Sequence, residues 1–174
     1  CQQAIEEGIA MIPEDRKRHG VILEMSIMEN TTMPCLKRIS NKGVISTSRE
    51  QDVTEKYKKE LLIKTPSINQ YVKNLSGGNQ QKVVLAKWLA MNPEIIIFDE
   101  PTRGIDVGAK QEIYEIMNDL ANQGKAIIMI SSDMEELIGM SDRIIVLCKG
   151  RMAGSLARTE ISQEAILMKA AGAE

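Results

Sequence analysis

The sequence has few features that would indicate a nucleic-acid-binding, disulfide-rich or membrane-spanning protein. Its 174 residues carry 22 Lys and Arg against 24 Asp and Glu, a formal net charge of −2. We therefore expect no nucleic-acid partner, because such proteins present a basic surface. The three cysteines, Cys1, Cys35 and Cys148, are odd in number and include no C-x-x-C pair. This usage argues against a disulfide framework or a zinc site and fits a reducing cytoplasm. Apolar runs reach only strand length, whereas a membrane helix needs roughly 20 residues.

Apolar strands alternate with amphipathic helices along the chain. The length of 174 residues suggests one domain, or one domain plus a piece. Hydrophobic residues make up 43% of the sequence, which is ordinary for a globular chain. Residues 14–91 are expected to be mostly helical, apart from a charged loop at 14–20 with which this region begins. The spacing elsewhere predicts strands at 8–12, 94–98, 126–131, 144–148 and 152–156, and helices at 107–122, 133–140 and 163–171. This alternation indicates an α/β fold with a largely parallel sheet.

The first segment with chemical content, the Ser-Gly-Gly segment, is Leu75-Ser76-Gly77-Gly78-Asn79-Gln80-Gln81-Lys82 at the start of a helical run. Ser76 is suited to cap that helix. The two glycines let a ligand approach the backbone, because no Cβ intrudes. Amides at a helix N-terminus attract anions, so the segment predicts a phosphate contact. Taken alone, the segment is a weak signal, and an ordinary capped helix start is the simpler interpretation.

The second segment is Ile95-Ile96-Ile97-Phe98-Asp99-Glu100-Pro101, a buried strand that ends in two adjacent carboxylates. Ligands of α/β proteins bind beyond the carboxyl ends of parallel strands. Asp99 could hold Mg²⁺ there, directly or through water. Glu100 could orient and polarise an attacking water molecule. The alternative is a merely solvated strand end.

Together these segments resemble the signature and Walker B motifs of the ATP-binding cassette (ABC) ATPases. Thr102-Arg103-Gly104-Ile105-Asp106-Val107-Gly108 resembles the D-loop of that family. With Pro13-Glu14-Asp15-Arg16-Lys17-Arg18 and Ser131-Ser132-Asp133-Met134-Glu135-Glu136-Leu137, the pattern is similar to the second cassette of fused two-cassette subunits. Those subunits energise bacterial import of monosaccharides of the ribose, galactose and xylose type.

The resemblance implies a partial P-loop NTPase core with a largely parallel sheet, plus a helical signature subdomain. The expected divisions are residues 1–13 (end of the preceding sheet), 14–91 (Q-loop and helical subdomain) and 92–174 (Walker B, D-loop and C-terminal core). The resemblance also implies MgATP held between two cassettes, with Asp99 at the Mg²⁺ ion and Glu100 as the general base. The residues expected to contact nucleotide or lie at the cassette interface are Ser76, Gly77, Gly78, Asn79, Asp106 and Ser132.

The implied partners are a first cassette, on the same or another chain, and integral-membrane permease subunits. A periplasmic sugar-binding protein would act indirectly. The expected location is the cytoplasmic face of the bacterial inner membrane, with peripheral attachment. The sequence does not identify the sugar.

The sequence departs from the family pattern in three places. It contains no G-x-x-x-x-G-K-[ST] phosphate loop (Walker A), so we expect a C-terminal fragment of a longer subunit that is inactive alone. Glu14 stands where the family usually has the Q-loop Gln, and a carboxylate can still bind Mg²⁺. Ser132 stands where the family has its switch histidine; it fits instead a capping box with Glu135. The only histidine, His19, lies in the charged loop.

These departures leave two functions open. One is an ATPase that drives import, and the other is a non-catalytic cassette that completes a partner's ATP site and acts as a regulatory module. Glu100 favours the first function; Ser132 and the missing phosphate loop favour the second. We also expect an uncovered edge or face on the sheet, through which the chain could self-associate.

Overall fold

A computed structural model describes residues 2–172 of the chain. The backbone forms two compact units, Cys1–Ile130 and Ser131–Glu174, and each is described by itself. The three divisions predicted from the sequence stay a prediction, because they rest on functional motifs rather than on compactness.

The first unit combines a small parallel sheet with a helical region inserted between its strands. Single helical turns of other types lie at Arg16–Gly20, Met33–Cys35 and Val72–Asn74. Its α-helices are α1 (Gln2–Glu6), α2 (Ile27–Thr32), α3 (Leu36–Ile39), α4 (Thr47–Glu60), α5 (Gly77–Leu89) and α6 (Val107–Asn122). Its strands are β1 (Ile9–Ile12), β2 (Ser40–Asn41), β3 (Val44–Ile45), β4 (Ile95–Asp99) and β5 (Ala126–Ile130).

The sheet has the order β1-β4-β5, and both pairings are parallel. Ile12 of β1 pairs with Phe98 of β4, which pairs with Met129 of β5. The three carboxyl ends therefore lie along one edge, where parallel sheets bind ligands. The strands predicted at 8–12, 94–98 and 126–131 are confirmed to within one residue at each end.

The two faces of this sheet differ in burial. Ile12, Ile96 and Phe98 are fully buried, and α5 packs beside β1 while α6 packs beside β5. On the opposite face of the sheet, Ile128 and Ile130 of β5 are about half exposed. The structure thus leaves an apolar sheet face uncovered, as the sequence predicted, whereas self-association through it stays a prediction.

The helical region is organised by local hydrogen bonds. The hydroxyl of Ser26 accepts a hydrogen bond from the amide of Glu29, and the Glu29 carboxylate accepts one from the Ser26 amide, a capping box that begins α2. The residues predicted as a charged loop, 14–20, instead contain one helical turn at Arg16–Gly20. Asp15 makes that turn possible because its carboxylate accepts hydrogen bonds from the amides of Lys17 and Arg18.

The second unit contains α7 (Met134–Met140), β6 (Arg143–Cys148), β7 (Arg151–Ala157) and α8 (Gln163–Ala170). A core of Ile144, Val146, Leu156 and Ile166 holds it together. The two strands do not extend a parallel sheet, as the alternating pattern suggested, but pair antiparallel with each other. The reason is the tight turn at Lys149 and Gly150, where φ is +50° and +77°. Two successive positive φ values match the hairpin turn that suits twisted strands.

An ion pair between buried Lys82 and partly exposed Glu112 connects α5 to α6. The Lys82 side chain is only 2% exposed, and its ammonium lies 2.8 Å from the Glu112 carboxylate. Lys82 also donates to the carbonyl of Leu62, and Lys64 lies 3.3 Å from the other Glu112 oxygen. The hydrogen bond from Lys82, with the positive charges of Lys82 and Lys64, holds the pKa of Glu112 below its ordinary 4.5.

Replacing Glu112 by Gln should therefore destabilise the chain at neutral pH by about 1–2 kcal/mol. Losing one partner of a fully buried pair costs about 3–5 kcal/mol, and we scale this down because solvent reaches Glu112. The lowered pKa means that the stabilisation is present above pH 4.5 and is lost as the pH falls through the folded-state value. Urea unfolding at pH 7 and at pH 3 should show a gap between wild type and E112Q that shrinks in acid.

The matched control is E115Q, at an exposed position of the same helix, which should unfold like wild type at both pH values. Equal stability of E112Q and wild type at pH 7 would contradict the assigned role of the pair.

Candidate functional site

Asp99 and Glu100, the strand-end carboxylates, lie at the carboxyl end of the central strand. Asp99 is the last residue of β4, and both side chains are half-buried. Glu100 adopts φ +47°, which is uncommon for a residue other than glycine. Its amide donates to the carbonyl of Ile130 at 2.8 Å, and its carbonyl accepts from the amide of Arg103. The turn after β4 is thus fixed by backbone bonds, and such unusual backbone conformations concentrate at functional sites.

Glu14 follows β1 at the same edge of the sheet. The pairing of Ile12 with Phe98 brings the residues after each strand to neighbouring positions. The Glu14 carboxylate forms an ion pair with the guanidinium of Arg103. Arg103 was not singled out from the sequence, because a charged residue in a turn carries no pattern that names its partner.

The Ser-Gly-Gly segment begins α5, as its sequence indicates. The Ser76 hydroxyl accepts hydrogen bonds from the backbone amide of Asn79 at 3.4 Å and from its side-chain amide at 2.9 Å. The side-chain oxygen of Asn79 (Oδ1) accepts a hydrogen bond from the backbone amide of Lys64 at 2.8 Å. Ser76 is exposed, so the capped N-terminus of α5 faces solvent at this residue and can receive an anion.

The starts of α5 and α6 meet at Gly78. A Cβ atom added to Gly78 would lie 2.6 Å from the Cβ of Ala109, closer than real Cβ atoms come. Asp106 caps α6, because its carboxylate accepts from the Ala109 amide at 2.9 Å. Hence Gly78 serves close helix packing, and Asp106 has a structural role that sequence reasoning did not identify. The capping preference of Asp before an apolar helix was the signal available.

Arg16 connects these motifs. Its two terminal nitrogens donate to the carbonyls of Arg103 and Gly104, each at 3.1 Å. Its Nη2 would lie 2.9 Å from a Cβ placed on Gly77. The structure thus brings together residues from the segment after β1, the turn after β4 and the start of α5. Sequence reasoning included Arg16 in a motif but gave it no role.

Ser132 belongs to the second unit, and its role toward the carboxylates stays a prediction. The predicted capping box of Ser132 with Glu135 is wrong. The carboxylate of Asp133 caps α7 by accepting from the amides of Glu135 and Glu136. Asp caps helices as well as Ser does. Because α7 begins at Met134, the N-cap position falls on Asp133 rather than on Ser132.

A magnesium ion bound in advance of nucleotide would need a more complete set of ligands. Within residues 2–172, no three or more His, Cys, Asp or Glu side chains cluster as a metal site. Mg²⁺ in nucleotide sites commonly takes one or two carboxylates, with phosphate and water completing the shell. The half-buried carboxylates at the end of β4 fit that second arrangement. In the part of the chain that the structure describes, no helix has the length and apolar character needed to cross a membrane.

Known proteins with similar sequences include import ATP-binding proteins. The ribose import ATP-binding protein RbsA of Geobacillus kaustophilus is 56% identical over 98% of this chain and 35% of its own length. The RbsA protein of Clostridium perfringens is 55% identical over 97% of the chain. The xylose import ATP-binding protein XylG of Geobacillus kaustophilus is 50% identical over 98% of the chain. The chain spans about a third of the length of these curated relatives.

Solved structures show the same fold. A dimeric bacterial ABC transporter cassette matches with a TM-score of 0.75 at 23% identity, over 90% of this chain and 66% of the cassette. A dimeric ATP-binding cassette in a post-hydrolysis state, bound to ADP and Pi, matches with a TM-score of 0.73 at 24% identity, over 87% and 63%. The α/β fold class predicted from the sequence is thereby confirmed as that of an ABC cassette. The sequence model of the family described as ABC transporter matches residues 1–103, more than half of the chain, and the chain therefore belongs to the ABC transporter family.

Proposed function

We propose that this chain is part of the ATP-hydrolysing subunit of a bacterial monosaccharide importer. The observation that carries the proposal is the pair Asp99 and Glu100 at the carboxyl end of the central parallel strand, with Glu100 held at φ +47°. Relatives that cover nearly the whole chain are named as ribose and xylose import ATP-binding proteins. Since both sugars occur among those names, the proposal extends to monosaccharides as a class.

In this proposal each residue acts on one part of the nucleotide. Asp99 would hold Mg²⁺, which neutralises phosphate charge when bound. Glu100 would accept a proton from the attacking water, whose oxygen forms a bond to the terminal phosphorus atom while the bond from that phosphorus to the bridging oxygen breaks and ADP leaves. The Ser76 hydroxyl and the amides of Gly77 and Gly78 bind the terminal phosphate of ATP held mainly by the opposite cassette. Asn79 keeps that helix start in place.

Glu14 and Ser132 are assigned secondary parts. Glu14 supplies a second carboxylate beside Mg²⁺ only when it leaves its ion pair with Arg103. Ser132 occupies the switch position, where its hydroxyl contacts the terminal phosphate. Asp106 lies at the interface with the other cassette and also begins α6.

The 174 residues contain no phosphate loop, so we propose that they bind no nucleotide alone. The first cassette, on the same or another chain, would supply the opposite half of the ATP site. Permease subunits would hold the assembly at the cytoplasmic face of the inner membrane, and a periplasmic sugar-binding protein would deliver substrate to them. The import named for the relatives and the dimeric cassettes of the same fold support this arrangement.

A second candidate function is a non-catalytic cassette that completes its partner's ATP site. Two observations favour it: Ser132 stands where the family has a histidine, and Glu14 is neutralised by Arg103. The two candidates differ in whether Glu100 performs chemistry at this site.

Replacing Glu100 by Gln in the full-length subunit should slow hydrolysis at this site by roughly 10²–10⁴-fold, the usual contribution of a general base. ATP binding should persist, because Gln keeps the shape of the side chain. The measurement is single-turnover conversion of bound radiolabelled ATP to ADP, with E115Q as the charge-matched control. If wild type and E100Q convert the same fraction of their bound ATP at the same rate and both leave the rest unhydrolysed, the non-catalytic candidate is supported and the ATPase role of this site is contradicted.

Replacing Gly78 by Ala should destabilise the chain by about 1–3 kcal/mol, the usual cost of overpacking. The new methyl group would lie 2.6 Å from that of Ala109. Chemical unfolding of G78A, A109G and the double variant tests this directly, since G78A/A109G removes the clash and should recover most of the loss. A Cβ at Gly139 meets nothing within 4 Å, so G139A is the control. A double variant no more stable than G78A would refute the packing role.

A further inference from the structure

We propose that Arg16 is a positioning residue that locks the start of α5 to the turn after β4. It thereby makes binding of the terminal phosphate at the Ser-Gly-Gly segment depend on the segment after β1. This inference rests on the proposed function and names a control point within it. Four observations lead to it.

The first is the geometry of the guanidinium. Its two terminal nitrogens each donate at 3.1 Å to consecutive carbonyls, those of Arg103 and Gly104. Gly104 has φ +67°, a conformation that residues with side chains rarely adopt. The planar fork of arginine can hold two neighbouring carbonyls at once, whereas the ammonium of lysine is a single point of charge. The contact therefore depends on shape as well as on charge.

The second is the contact with α5. The guanidinium is packed against Gly77, the first residue of the helix, with Nη2 2.9 Å from where a Cβ would be. The Gly104 carbonyl lies 3.4 Å from the same point. Arg16 thus fills the space between the helix start and the turn, and any separation of the two would break its contacts.

The third observation is the packing of the helical turn that carries Arg16. Arg16 opens the helical turn Arg16–Gly20, which rests on α5: a Cβ on Gly20 would come within 2.8 Å of Val84, and the Lys87 ammonium donates to the Gly20 carbonyl at 3.0 Å. Asp15 caps the N-terminal end of this turn, next to Arg16. The turn and α5 therefore form one body, from which the arginine reaches across to residues 103 and 104.

The fourth is charge. Among residues 2–172 no carboxylate pairs with Arg16, and its buried Nε has no hydrogen-bond partner. Glu14, two residues away, is paired with Arg103 instead. An uncompensated cation beside the N-terminus of a helix adds to the positive potential of the helix dipole. The same residue that positions Gly77 therefore also strengthens the anion site at that helix start.

The test compares R16Q and R16K with R18Q in the full-length subunit. Arg18 is a matched control, because its side chain is 81% exposed and forms an ion pair with Asp15, three residues earlier. Hydrogen exchange without nucleotide should show amides of residues 77–79 and 103–106 opening about tenfold faster in R16Q and R16K but not in R18Q. The ATP concentration for half-maximal turnover should rise several-fold in both Arg16 variants.

R16K decides between position and charge. If the fork is required, R16K fails like R16Q in both measurements, and the proposal stands. Full recovery in R16K, or unchanged exchange in R16Q, overturns it, as does faster exchange with an unaltered ATP dependence. The exchange measurement needs no nucleotide, so an inactive wild-type subunit would count against the proposed function and leave the exchange result readable on its own.

Discussion

The close approach of α5 to α6 is the contact on which the rest of the site depends. Gly78 and Ala109 lie so close that a side chain on Gly78 would clash with Ala109, and the ion pair of buried Lys82 with Glu112 connects the same two helices further along. Since α5 begins with the Ser-Gly-Gly segment and α6 follows the strand-end carboxylates, this packing fixes the helix start that we propose to bind phosphate relative to two acidic side chains. Arg16 closes the arrangement from the side of β1.

This arrangement explains why so many of the predicted site residues also have structural duties. Asp106 caps a helix, Asn79 holds the backbone at Lys64, and Gly78 permits helix contact. A residue with both duties cannot be assigned to nucleotide binding from a loss of activity alone, because its replacement also moves the helices. At Glu100 the backbone hydrogen bonds fix the turn after β4, and E100Q leaves those backbone bonds in place while removing the carboxylate charge.

The sequence allowed the elements with strong local signals to be predicted. Helix α6 begins and ends at the predicted residues, because Asp106 caps it and Gly124 favours the left-handed backbone that ends it. The Ser-Gly-Gly segment and the strand-end carboxylates were recognised by their resemblance to the family. The ion pair of Lys82 with Glu112 could not be predicted, since a charged residue carries no signal for a partner far along the chain. Lys149 and Gly150 indicate a turn between the strands predicted at 144–148 and 152–156, but the antiparallel pairing of β6 with β7 was not predicted, because the alternation of strands and helices indicated a largely parallel sheet.

We propose that these 174 residues carry the acidic and signature parts of an ATP site but not the part that holds the phosphates. The measurement that tests it most directly is a calorimetric titration with MgATP, run in parallel on this chain and on the full-length subunit, with circular dichroism to establish that both are folded. The account predicts binding heat for the full-length subunit and none for the chain alone. Mg²⁺-dependent binding to the chain at about micromolar concentrations would contradict it, because the phosphates would then be held without a phosphate loop.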